Sequence, residues 1–433
     1  MRQTVARTVA RIGRRRALVM IDTATSSLSN VLVTIMVAGL LDPTGFGAFS
    51  VAMVTYPLAV GVVRAIVGEP WLSAHSTDGP AERNRALADL VPASLVVSLA
   101  CSAVIAAFAA VDGGSSTAPL VALALVFPYL GVQDALRHVA IIDRPQVALA
   151  SDLAWLLIVA GFVVAAPSGA SPEWFVVAWG VSGAVGLLLA MVALRVPLRR
   201  GRAWDWLTQH RTLSSAYFGE YLTARAGGQV VLLLLGAIAG LSALGAVRAA
   251  QVFYGPLNVL HAGLYLMLVP DGARRRDRPR SLKRLMVAAT VVVSGTAGAW
   301  TVAGLVLPDG VGRALFGDTW TDAQELMLPM GLAMVAGGTA TGAFAGLRSL
   351  AAARHSLRAR LYSLPPQLGF TVVGAAVGSA IGYTIGFGIA NAVVGVIWWA
   401  VFLGALGHGV GGRLPDPAPP TDPEGAVLVD QAR

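Results

Sequence analysis

Residues 29–70 read SNVLVTIMVAGLLDPTGFGAFSVAMVTYPLAVGVVRAIVGEP. The stretch is two apolar runs split by the turn Leu41-Asp42-Pro43-Thr44. At about 1.5 Å of rise per helical residue, a run of some 20 apolar residues crosses a hydrocarbon layer of about 30 Å. Two such runs joined by so short a turn read as a transmembrane helical hairpin. The same grammar repeats outward from it along all 433 residues. Hydrophobic residues make up 56% of the chain and charged residues 13%, against about 25% charged in an ordinary soluble domain. An ordinary soluble enzyme is therefore excluded, and the chain reads as an all-α polytopic membrane protein.

Long apolar runs bounded by Pro, Gly or charge place spans near 17–41, 44–68, 89–111, 117–140, 146–166 and 173–197. A second set falls near 213–240, 243–269, 285–307, 324–347, 358–381 and 383–406, which makes about twelve transmembrane helices. The domain plan that follows has a basic cytoplasmic N-terminus at 1–16 and an N-terminal six-helix lobe at 17–197. A basic cytoplasmic linker at 198–212, a C-terminal six-helix lobe at 213–406 and a disordered cytoplasmic tail at 407–433 complete it. The N-terminal arginines before Ala17 resemble a signal peptide, but the apolar run to Leu41 is too long for one and reads as an uncleaved span.

The net charge of +9 is distributed by topology. Arginines gather at the N-terminus, at Arg83 and Arg85, at Arg144, from Arg199 to Arg211, in DGARRRDRPRSLKR (271–284), and at Arg354 and Arg358. The intervening turns, LDPT, DGGSST, PSGASPE and AGLSA, carry none, and only Arg313 appears in the segment from Asp309 to Asp322. Lys and Arg near span ends stay on the cytoplasmic side, so both termini are expected there, in a multi-pass protein of the cytoplasmic (plasma) membrane. Basic residues scattered in short inter-span segments point to anionic membrane lipids and not to nucleic acid. Cys101, the single cysteine, lies within an apolar run, so neither a disulfide framework nor a Cys-rich metal site is available.

An internal repeat organises the spans. Gly47-Ala48-Phe49-Ser50-Val51-Ala52-Met53-Val54-Thr55-Tyr56 aligns without gaps on Gly245-Ala246-Val247-Arg248-Ala249-Ala250-Gln251-Val252-Phe253-Tyr254, agreeing at Gly, Ala, Ala, Val and Tyr. Leu136-Arg137 and Ala140 echo Leu347-Arg348 and Ala351. Copies six spans apart keep one orientation, so the two lobes are expected as parallel repeats around a central cavity.

The first hairpin, LRHVAIIDRPQVALASDLAW (136–155) and ALFGDTWTDAQELMLPMGLAMVAGG (314–338) carry a family likeness. Over roughly residues 17–406 the chain resembles the polysaccharide-exporter branch of the multidrug/oligosaccharidyl-lipid/polysaccharide (MOP) flippase superfamily, the Wzx-type O-antigen and teichoic-acid exporters. The resemblance implies two lobes alternating between inward-open and outward-open states. The implied cargo is a polyprenyl-diphosphate-linked saccharide moved from the inner to the outer leaflet for cell-surface polysaccharide biosynthesis. Polysaccharide-assembly proteins are possible partners, and H⁺ or Na⁺ a possible coupling ion. No covalent step, catalytic residue, resident metal or cofactor is needed, and no GxxxxGK[ST] phosphate loop is present. Two other readings remain open: a cation-coupled drug or small-molecule antiporter of the same fold, and a membrane enzyme or scaffold of polysaccharide assembly.

Ionisable residues inside spans are functional candidates by default. Arg225 lies twelve residues, or about 18 Å, into the seventh span. It is the leading candidate to meet a diphosphate through bidentate guanidinium bonds, with a structural ion pair as the alternative. The eighth span carries Arg248, Gln251, Tyr254, Asn258, His261 and Tyr265 at spacings of three and four, a polar stripe that either lines the cavity or bonds helices together. The first five join Arg225 and Arg64 as candidate substrate contacts; Arg64, close to a span end, can also snorkel. Asp22, Glu220 and Asp152 are candidates for a coupling ion, and Asp22 shares a polar face with Ser26, Ser29 and Asn30. Asp134 and Arg137, three apart, read as a local pair, and Glu69, before Pro70, as an interfacial residue. Pro57, Pro128, Pro256, Pro365 and Pro366 mark expected bends. VGRALFGDTW (311–320) reads as a short amphipathic element on the outer membrane surface.

Overall fold

Asp42 fixes the start of the second helix. Its Oδ1 accepts the Gly45 amide at 2.7 Å, and Pro43 occupies the first helical position, where its missing N–H leaves nothing unsatisfied. The computed structural model describes residues 18, 21, 22, 25–75, 78–197 and 202–408, without the side chains at 80, 142, 143, 224, 225, 259, 262 and 266. The expected N-terminal segment 1–16 and nearly all of the tail 407–433 lie outside the described residues. Among those described there is no strand.

The helices run in order: α1 (Thr25–Ala38), α2 (Pro43–His75), α3 (Pro80–Asp112), α4 (Thr117–Asp143), α5 (Pro145–Val164) and α6 (Pro172–Leu194). After a short α7 (Ala203–Gln209) come α8 (211–239), α9 (Leu241–Phe253), α10 (Gly255–Ala273) and α11 (Pro279–Leu305). Two short helices, α12 (Asp309–Phe316) and α13 (Thr319–Glu325), precede α14 (Met327–Ser349) and α15 (Ala353–Gly407). Eight of the described helices are long and apolar enough to cross a membrane, and α9 with α10, bent by 51° where Pro256 follows the break, make a ninth. As one rod the 55 residues of α15 would span about 80 Å, far more than a bilayer. The helix in fact reverses at Gly378 and Ser379, which leave helical geometry. Beyond the turn its legs pack so closely that a Cβ at Gly374 would strike the Gly382 backbone, and one at Gly386 the Phe370 carbonyl. Counting α15 twice and adding α1 and α8, the chain makes about twelve passes, as its sequence suggests.

Helices α2 to α6 pack together as one lobe, and α10, α11, α14 and α15 as another, while α8 and α9 touch α2 as well as α15. Both sequence echoes fall on helices six passes apart: α2 with α9, and α4 with α14. The first echo meets itself. A Cβ on Gly47 would overlap the Leu241 backbone, and one on Gly245 would stand 3.2 Å from the Gly47 nitrogen. Equivalent residues of the two copies thus touch where α2 and α9 cross, at the end away from the arginine-rich segments.

One expectation needs correction. The 311–320 element does not lie out on lipid. Phe316 and Trp320 are each 1% exposed, their rings stack with centroids 6.1 Å apart, and Gly317 packs against the Ala38 carbonyl. The ends of α1 and α9 offer a protein surface for these aromatic rings, so the apolar face is buried in the fold. Within the inter-lobe stretch, residues 198–201 are outside the described set and the rest contains α7, whose Trp206 is buried and stacks on His210. Pro57 and Pro128 sit inside continuous α-helix.

Candidate functional site

A cavity of about 670 Å³ opens between α1, α2, α4 and α5 on one side and α8 on the other. One of the charges on its wall, Arg64, comes from a turn where the backbone is unusual. Arg64 begins a π-helical turn, Arg64–Gly68, inside α2, and a second one, Leu222–Ala226, interrupts α8 across the cavity. Such turns are rare and concentrate at functional sites. The Arg64 guanidinium forks the Asp134 carboxylate, Nε donating to Oδ2 at 2.7 Å and Nη2 to Oδ1 at 2.5 Å. Asp134 is 5% exposed, whereas the Arg64 side chain keeps 35% of its surface.

One turn along α4, Arg137 joins two further acids. Its Nε donates to Asp152 Oδ1 at 2.7 Å and its Nη2 to Asp22 Oδ2 at 2.9 Å. Asp22 is fully buried and Asp152 nearly so, which ties the residues ahead of α1 to α4 and α5 through one cation. Beside this triad Gln133 donates to Ser151 at 3.4 Å. Two arginines and three carboxylates inside one lobe are thereby matched helix to helix, the arrangement that makes intramembrane charge tolerable.

The lobes meet around this cavity through polar bonds from α8 to α2. Tyr221 Oη donates to the Leu58 carbonyl at 2.8 Å, Ser214 Oγ to the Ile66 carbonyl at 2.7 Å, and Ser73 and Tyr217 share a hydrogen bond of 2.7 Å. The Tyr221 ring lies where a Cβ on Gly61 would be. Together with the Gly47 and Gly245 crossing, these bonds close α2 against the second set of helices at both ends.

The sequence candidates separate into two groups. Arg64, Asp152 and Glu220 line the cavity, as do Ser26, Ser29 and Asn30 of the first helix. Asp22 stands behind that wall on Arg137. Arg225 falls in the π turn of α8, its side chain outside the described residues; Tyr221 and Gln229, four residues to either side, line the cavity. None of Arg248, Gln251, Tyr254, Asn258 and His261 does. Arg248 donates to Gln251 at 3.0 Å, and His261 bonds Thr296 at 3.1 Å. Tyr254 is 1% exposed and donates to the Met327 carbonyl at 2.9 Å, so at this position the stripe bonds helices together. Asn258 is exposed. The bend between α9 and α10 breaks the straight face that the 3-4 spacing implies. We expect Tyr254→Phe to cost about 1 kcal/mol of stability, read as a lower unfolding midpoint; an unchanged midpoint would return Tyr254 to the candidate site.

Three other sequence readings change. Arg64 does not snorkel, because Asp134 holds it. Asp134 and Arg137 are not a local pair, since each has its main partner on another helix. Glu69 sits within α2, lines the cavity and comes 3.6 Å from His138. The cavity wall is also less cationic than expected: among the described residues two arginines face four carboxylates, Glu69, Asp134, Asp152 and Glu220. Tyr56, Trp155, Trp179, Tyr217 and Tyr221 add aromatic surface that the sequence did not single out. No group of three or more His, Cys, Asp or Glu among the described residues is placed to hold a metal ion.

The described helices form a multi-pass bundle of two lobes around a polar cavity. Comparison with solved structures makes the fold specific. An inward-facing multidrug-resistance MATE-family transporter of the MOP superfamily superposes with a TM-score of 0.70 at 14% identity, covering 90% of this chain and 96% of that one. The lipid II flippase MurJ in an inward closed conformation gives a TM-score of 0.70 at 9% identity, covering 91% of each chain. An outward-facing MATE-family transporter gives 0.54 at 15% identity, covering 92% of this chain and 96% of that one. No protein-family model and no curated protein matches the sequence. The chain is a multi-pass membrane protein with the fold shared by MATE transporters and MurJ.

Proposed function

We propose that the chain is an alternating-access exporter of a polyprenyl-diphosphate-linked saccharide, with lobes at 17–197 and 213–406 and both termini in the cytoplasm. The observation that carries the reading is Arg64. Its fork holds Asp134 through Nε and Nη2, and its partly exposed side chain leaves further donors for phosphate oxygens in the cavity. The diphosphate and sugar enter the cavity, the polyprenyl tail stays in lipid, and rocking of the lobes delivers the head to the other leaflet. The likeness in fold to a lipid II flippase supports a lipid-linked cargo. The higher TM-score against the inward-facing transporter than against the outward-facing one supports an inward-side conformation here. Asp22 and Asp152 on Arg137, with Glu220 across the cavity, offer carboxylates through which an H⁺ or Na⁺ gradient would act.

A second reading has its own observation. Four carboxylates and five aromatic side chains on the wall suit an organic cation, which favours a cation-coupled drug antiporter of the same fold. The two are separated in proteoliposomes by leaflet accessibility of a labelled polyprenyl-diphosphate saccharide against efflux of a fluorescent organic cation. We expect saccharide movement in the wild type and a loss of at least about tenfold in Arg64→Ala, the scale of one charge-assisted hydrogen bond. Cation efflux without lipid movement would replace the first reading by the second.

A further inference from the structure

A second cavity, of about 380 Å³, lies within the other lobe between α10, α14 and the two legs of α15. Thr223, in the π turn of α8, reaches it, while Tyr221 and Gln229 of the same helix line the first cavity. The interrupted helix is therefore a wall common to both. The floor of this second cavity is aromatic. Tyr265 stacks on Phe344 with centroids 5.3 Å apart, and Trp398 meets Phe344 edge-on at 5.0 Å. Thr341, Gln367 and Arg360 supply hydroxyl, amide and guanidinium groups around it.

One atom is left over. The Tyr265 hydroxyl is buried and has no hydrogen-bond partner among the described residues, although a buried tyrosine O–H normally finds one. An aromatic floor, a ring of hydroxyl, amide and guanidinium groups and an unmatched phenol suit a ligand with one apolar face and many hydroxyls. The geometry points to a subsite for a saccharide unit of the cargo: C–H faces of a pyranose against the Tyr265 and Trp398 side, ring hydroxyls on Tyr265 Oη, Thr341 and Gln367. The inference rests on the lipid-linked saccharide reading and assigns the two ends of the head separately, phosphate to the first cavity and sugar to the second. The π turn of α8 stands between them.

The test is equilibrium binding to the purified full chain in nanodiscs of two probes, farnesyl diphosphate and farnesyl-diphosphate N-acetylglucosamine. Tyr265→Phe removes only the unmatched O–H. It is expected to weaken the sugar-bearing probe by about fivefold to tenfold, the scale of one buried hydrogen bond, and to leave farnesyl diphosphate unchanged. Thr341→Val is expected to act in the same direction, and Arg64→Ala to weaken both probes. Equal effects of Tyr265→Phe on the two probes, no effect on either, or no binding of the sugar-bearing probe by the wild type would overturn the subsite. If the difference between probes holds while leaflet movement fails, the pocket stands and the exporter reading falls. If leaflet movement holds and the difference is absent, only the pocket falls.

Discussion

Arg137→Met is expected to be the most damaging single substitution in the first lobe. It strips the cation from Asp22 and Asp152, which are 0% and 5% exposed and reach it at 2.9 and 2.7 Å. Removing one partner of a buried ionic cluster typically costs about 3–5 kcal/mol, because the remaining charge has neither water nor a counter-ion. Here two carboxylates are stranded. A marked fall in the thermal unfolding midpoint of the purified protein is the expected reading. The triple variant Arg137→Met, Asp22→Asn, Asp152→Asn removes all three charges while keeping their volume, and stability should largely return, since replacing a whole buried ion cluster is often neutral. If the single variant is as stable as the wild type, the triad is not the structural tie described above. If the triple variant recovers stability but not transport, the same residues also act in the cycle.

The second large effect belongs to the crossing of α2 and α9. At Gly47 a side chain has no room, because its Cβ position already coincides with the Leu241 main chain. Gly47→Leu blocks the approach of α2 and α9 at this end. Overpacking of this kind costs about 1–3 kcal/mol, and a change of that size in one state of a two-state equilibrium moves its population by roughly tenfold to a hundredfold. Spin labels at Thr44→Cys and Ser242→Cys, with Cys101 replaced by alanine, report the separation directly. The wild type should contain a short-distance component that Gly47→Leu removes, with transport falling in parallel. An unchanged distance distribution would show that the crossing tolerates a side chain and does not gate the cavity.

The number of passes and their pairing across the repeat were legible because each rests on a local rule, whereas the helices overrun the apolar runs that mark them, α2 to His75 and α3 from Pro80. Asp42-Pro43 starts α2, the apolar run marks its membrane-crossing part, and the Gly47 and Gly245 echo marks related helices. The site was legible only where polarity followed one helix, as with Ser26, Ser29 and Asn30. Arg64 with Asp134, and Arg137 with Asp22 and Asp152, are matches between helices 70 to 115 residues apart in sequence for Arg64 and Asp22, and 15 apart for Asp152. Helical spacing carries no information about them. The one sequence signal able to find them is a count of charges within the first six spans, Arg64 and Arg137 against Asp22, Asp134 and Asp152. The eighth-span stripe does not keep to one straight face, because α9 ends at Phe253 and the axis turns by 51° into α10.

The reversal in α15 bears on how the chain is made. Only Gly378 and Ser379 leave helical geometry, and their neighbours Val377 and Ala380 are apolar. A tip so small and greasy offers the translocation machinery no hydrophilic loop to pass across the bilayer. Each leg is instead held by the other, through backbone contacts at Gly374, Gly382 and Gly386. The last two passes should therefore enter the membrane together, as one folded unit, only after synthesis has run past residue 400. A ribosome stalled short of that point would present a lone leg with nothing to lean on.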